Sequence, residues 1–186
     1  MRKLVLAGLF VVAASLTIVA AGALAGGGGH GRLGASMNSY NEVVGGVSAT
    51  DSGSVSTLGR GSLKLRVEDD GIHYRLRYSQ MEGTVSQAHI HFAQQHVGGG
   101  IIAFLCAGTE AACTSPSGDI SGVITPAEII GPAEQGIEAG SFDEAVRAIR
   151  AGATYANVHS TPRFPAGEIR GQIGRGSKGR GGGERK

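Results

Sequence analysis

His89-Ile90-His91 places two imidazoles two residues apart. On a strand such residues share a face, about 6.6–7 Å apart along the chain. Ala88, Ile90 and Phe92 then share the other face, which reads as core and turns both histidines outward or into a site. Tyr155, Asn157 and His159 share a face by the same rule. If that strand lies near His89 and His91, three imidazoles converge. Three histidines suit zinc or copper, with a fourth position open for water, His96 or a ligand. The competing reading is structural. His89, His91 and His159 would satisfy buried polar partners in a network with Asn157, Glu168 and Arg170. Glu168 and Arg170 are themselves two apart and are expected to share a face.

Other chemistry is less well supported. There is no Gly-x-Ser-x-Gly, no Walker loop and no His-Glu-x-x-His. No nucleophile constellation is therefore legible, and no catalytic residue is assigned. His73, between Ile72 and Tyr74, reads as a surface residue, while His30 and His96 lie in glycine-rich stretches. Gln94 and Gln95 could line the loop beside His96, but no spacing supports a role. Cys106 and Cys113 close a short loop after an apolar run. In an exported chain a disulfide is the default; the alternatives are a free thiol pair or metal ligands.

The elements that must position these groups are strands. Leu63, Leu65 and Val67 alternate with Lys64 and Arg66; Ile72, Tyr74, Leu76 and Tyr78 alternate with His73, Arg75 and Arg77. Asp69-Asp70-Gly71 between them is a hairpin signal. Further strands are expected over 85–93, 100–106, 118–125, 154–160 and 168–173. One short helix is expected near 141–151. Ser141 and Glu144 have capping-box spacing, Phe142, Ala145, Val146 and Ile149 recur at helical spacing, and Gly152 suits the stop. A further short helical turn is expected between Pro126 and Pro132. The pattern is all-β: an antiparallel β-sandwich or Greek-key barrel with one inserted helix.

The ends of the chain differ from its middle. Arg2 and Lys3, the apolar run from Leu4 to Ala21, and Ala23-Leu24-Ala25 form a secretory signal over 1–25. The alternative is a retained anchor. Residues 26–34 read as a glycine-rich linker, 35–173 as the β domain, and 174–186 as a disordered basic tail. From Leu33 to Ile173 there are 9 Lys+Arg and 14 Asp+Glu, and from Gly174 to Lys186 there are 5 Lys+Arg and one Glu. A mildly acidic domain argues against nucleic acid as a partner.

Four pieces, in order, resemble the CHRD domain, named after chordin and found in many bacterial exported proteins. They are Asn41-Glu42-Val43, Ala88-His89-Ile90-His91, Gly152-Ala153-Thr154-Tyr155-Ala156-Asn157-Val158-His159, and Pro165-Ala166-Gly167-Glu168-Ile169-Arg170-Gly171-Gln172-Ile173. The resemblance spans about 35–173. Val44 stands where the family usually has proline, and Phe92-Ala93 replaces the usual Gly-Pro. The resemblance implies an immunoglobulin-like all-β domain with no established general activity. The function expected is that of a secreted, non-enzymatic β module. Its partner would be an extracellular protein or envelope polymer, with no membrane span after signal cleavage. The alternative is a metal-binding protein, redox-active or not, that holds zinc or copper on His89, His91 and His159. The His-x-His pair is also similar to the copper ligands of the Cu/Zn superoxide dismutase sandwich, without the rest of that ligand set.

Overall fold

A computed structural model describes residues 32–45 and 52–175. The expected signal segment, His30, most of the glycine-rich linker and the tail from Gly176 onward lie outside the described residues. The strands are β1 (Leu33–Asn38), β2 (Val44–Gly45), β3 (Ser52–Gly53), β4 (Arg60–Glu68), β5 (Gly71–Ser79), β6 (Thr84–Phe92), β7 (Gly100–Cys106), β8 (Gly118–Ile124), β9 (Thr154–Thr161) and β10 (Phe164–Arg175). The helix α1 covers Phe142–Arg150. β2 and β3 form a small ladder of their own.

The other eight strands form one sheet in the order β7-β6-β9-β10-β1-β4-β5-β8, with every pairing antiparallel. The expected antiparallel β architecture with a single helix is present. Two stacked sheets are not. β1 pairs with β10 on one side and β4 on the other, so both halves belong to one nearly closed, barrel-like sheet. Gly171 permits that junction, because a Cβ there would collide with the Ser36 carbonyl.

Alternation sets the barrel's inside. Leu63, Leu65, Ile72 and Leu76 are buried, while Lys64, Arg66, Arg75 and Arg77 face out. The hairpin turns on Asp69-Asp70, with Glu68 opposite Gly71. Ile90, Ile102, Leu105, Ile124, Ile169 and Ile173 complete the same core. Burying each such side chain stabilises by roughly 1.5–3 kcal/mol.

The end strand β7 is tied down. On β5, Tyr74 donates its hydroxyl to the Leu105 carbonyl of β7 at 2.9 Å. The Cys106–Cys113 disulfide closes the segment after β7, with Cα atoms 5.2 Å apart. Ile130 N–H donates to the Ile102 carbonyl at 2.9 Å, and Gln135 bonds Gly100 N–H and the Phe92 carbonyl. A free strand edge is a template for unwanted pairing; here the 126–140 segment covers it.

The helix forms where expected, but its capping box does not. Ser141 sits at φ −74°, ψ 71° and makes no side-chain cap bond. That backbone lies outside the extended region an N-cap uses, and Glu144 turns instead to Arg147 at 2.7 Å. A reciprocal cap forms earlier, where the Glu128 carboxylate accepts from the Thr125 N–H and hydroxyl. It closes a 3-10 turn at Pro126–Glu128, and a second such turn follows at Ala133–Gln135. Two residues at each end that composition assigns to flanking segments, Leu33-Gly34 and Gly174-Arg175, lie within β1 and β10.

Candidate metal centre

β6 and β9 are neighbours, with His89 opposite Asn157, His91 opposite Tyr155 and Gln87 opposite His159. The pairing brings His89, His91 and His159 onto one face, opposite the core face that carries Ala88, Ile90, Ala156 and Val158. The register of β6 against β7 shifts just before each of these two histidines, between Ala88 and His89 and between Ile90 and His91. Bulges at such positions re-aim side chains.

The site is on the outside of the sheet yet covered. His89, His91 and His159 are 1%, 8% and 6% exposed. Loops make the roof. His91 Nδ1 lies 2.9 Å from the Gly99 carbonyl, and His159 Nδ1 lies 2.9 Å from the Pro165 carbonyl. A carbonyl only accepts, so each of these rings carries its proton on Nδ1 and a lone pair on Nε2. Those two Nε2 atoms, and both ring nitrogens of His89, are buried without a hydrogen-bond partner.

One ring nitrogen from each histidine lies within 4.8 Å of the others. A tetrahedral site with metal–nitrogen bonds of 2.0–2.1 Å needs donors about 3.3 Å apart, so modest side-chain rotation would close the set. His89 packs edge-on against Phe104, His91 and His159, at centroid distances of 4.6, 5.2 and 4.9 Å.

Electrostatics keep the rings neutral. Burial, then the neighbouring His159 and His91, push His89 down to about 3. Burial pushes His91 down to about 4, and it lowers His159 as well. Neutral imidazole is the form that binds metal. Arg170 contributes to His91 through a stack. Its guanidinium carbon lies 3.3 Å from the Tyr155 ring centroid, and that ring lies parallel to His91 at 4.7 Å. Arg170 also donates to the Gln94 and Val97 carbonyls at 3.0 and 2.8 Å, and Gln172 donates to Ala93 at 2.9 Å. The two side chains fasten the loop beside the site. His96, in that loop at φ 63°, is not in the ligand group.

Asn157 joins the histidines, with its Oδ1 buried and unpartnered. Glu168 does not. The β9–β10 register shifts between Phe164 and Ile169, and the Glu168 carboxylate turns to Glu82 N–H at 2.9 Å and to the Ser160 hydroxyl. Ser160 is on the Val158 face of β9, so the face Glu168 was expected to share with Arg170 is lost at the bulge. The cysteines are bonded to each other and are distant in role from this site.

Glu42 is a residue that sequence reasoning did not place here. It is 2% exposed, and burial holds its carboxyl above the usual range. Gly167, at φ +132°, lies against it; a Cβ there would run into the Glu42 carboxylate and meet the Asn157 amide. The only sign in the sequence is Glu42's place in the Asn41-Glu42-Val43 piece. A second cluster, Glu68, Asp70 and His73, is exposed and internally paired, with His73 Nε2 2.7 Å from Asp70.

No helix among the described residues is long and apolar enough to cross a membrane. Comparison with curated proteins and with solved structures gives no match. The profile of the CHRD domain matches residues 33–173, from the first residue of β1 to the last turn of register in β10. The chain belongs to the CHRD domain family.

Proposed function

We propose that this CHRD domain is an exported metal-binding module that holds one zinc or copper ion on His89, His91 and His159. One observation carries the reading: three buried imidazoles face one another with unpartnered nitrogens, two of them oriented by carbonyls behind the ring. Metal-binding histidines characteristically donate their second nitrogen in this way. A purely structural network would pair these atoms, since an unsatisfied buried polar group costs about 1–3 kcal/mol. Three nitrogen donors leave a coordination position open, which suits both ions. Export is supported by the signal-like start and the disulfide.

The test is metal content of the chain from Gly26 to Lys186, purified without a histidine tag and incubated with each ion. About one equivalent is expected, absent from His91→Ala and His159→Ala, with circular dichroism unchanged. Copper loading would add a nitrogen-coordinated Cu(II) spectrum by electron paramagnetic resonance. No metal, or metal retained by both variants, would leave the histidines as packing groups and return the domain to the metal-free binding module.

A further inference from the structure

The domain's charge is segregated. Of the nine Lys+Arg between Leu33 and Ile173, five (Arg60, Lys64, Arg66, Arg75 and Arg77) lie on the outer face of two adjacent strands, β4 and β5. Lys64 stands directly opposite Arg75, and Arg66 opposite His73. Like charges in directly opposite positions destabilise a sheet. Compensation is partial. Asp119 on β8 takes Arg75 through two bonds of 2.7 Å and Arg77 at 3.1 Å, and Glu68 lies 3.4 Å from Arg66. Arg32, Arg60 and Lys64 have no ion-pair partner among the described residues.

This face is also concave. A groove of about 970 Å³ runs over β1, β4, β5 and β8. Its outward-facing positions alternate cations with Gly34, Ser36, Ser62 and Ser121, so hydroxyls sit between the charges. No phenylalanine, tyrosine or tryptophan faces outward along it to stack a base, and no apolar rim stands ready to enter a bilayer.

We propose that this groove binds an acidic polysaccharide, with its carboxylate or sulfate groups on Arg32, Lys64 and Arg66 and its hydroxyls on the serines. The surface is separate from the histidine face on β6 and β9, and the binding needs no metal.

Lys64→Glu makes a clean probe. It converts a like-charge cross-strand pair with Arg75 into an opposite-charge pair, so the fold should be at least as stable as the parent. The full chain, Lys64→Glu, Arg32→Glu and a tail variant with Lys178, Arg180, Arg185 and Lys186 replaced by serine are titrated calorimetrically with polygalacturonate and with neutral dextran. Polygalacturonate should bind and dextran should not. Each reversal should weaken binding by about tenfold, the scale of one lost charge-assisted contact. The tail variant and His91→Ala should bind as the parent does. Four outcomes would overturn the proposal: no binding, binding that survives both reversals, binding abolished by the tail variant alone, or tighter binding to phosphatidylglycerol vesicles or duplex DNA.

Discussion

At the scale of single residues, the histidines make the domain sensitive to acid. Folded His89 sits near 3 and His91 near 4, while in the unfolded chain both return to the usual value near 6.5. Between these limits the unfolded state binds more protons, so stability falls as pH falls. Above about pH 7 both states are neutral and the effect vanishes. Glu42 acts in the opposite sense, because its raised carboxyl takes up its proton earlier in the folded state. The imidazoles outweigh it, because His89 and His91 are both shifted far down and His159 is lowered as well. By pH 4.5 His89 alone should cost on the order of 2 kcal/mol. Urea unfolding of the metal-free protein at pH 7.5, 5.5 and 4.5 measures this. His89→Gln should flatten the profile; a parent profile already flat would mean that the rings are not held neutral.

At the scale of elements, the disulfide does local work. It closes a loop of six residues between Cys106 and Cys113, just where β7 ends. Replacing both cysteines with serine should destabilise by about 2–3 kcal/mol, as expected for a short loop. Hydrogen exchange should rise first in β7 rather than in β4 and β5. Much of this level was legible in the residues. Alternation found the β4–β5 hairpin, and an unbroken apolar run found β7 at its true ends. β1 also alternates, with Leu33, Ala35 and Met37 inward, but its glycine and serine merge with the leader before it. Glu168 shows a different limit. Between Phe164 and Ile169 β10 carries three more residues than the stretch of β9 it faces, an odd excess that exchanges the strand's faces, and Pro165 and Gly167 signal an irregularity there without showing how many residues are extra. The site depends on β6 pairing with β9, about seventy positions later in the chain. Local periodicity shows that His89 and His91 share a face; it carries no information about which strand lies beside them. Glu42 is further out of reach, since a buried carboxylate in a loop has no period at all.

At the scale of the whole molecule, the outer surface of the sheet has two unlike sides. Around β6 and β9 loops cover neutral imidazoles, and around β4 and β5 bare strands display cations. Net charge is silent about this, because the acidic residues lie largely elsewhere on the surface. The closure of the sheet through β1 has a mechanical side. Leu33 lies opposite Arg175, so the domain's first and last strands meet at one end of a shared antiparallel ladder. A load applied through the two flanking segments falls on that end first and opens the ladder pair by pair, like a zipper. Handles on Arg32 and Arg163 would load the same strands lengthwise, straining many hydrogen bonds together. In a force-spectroscopy experiment the first geometry should yield at clearly lower tension than the second. A domain hung in this way comes apart under modest pull, and tension in its surroundings would set whether the histidine face and the cationic groove are present at all.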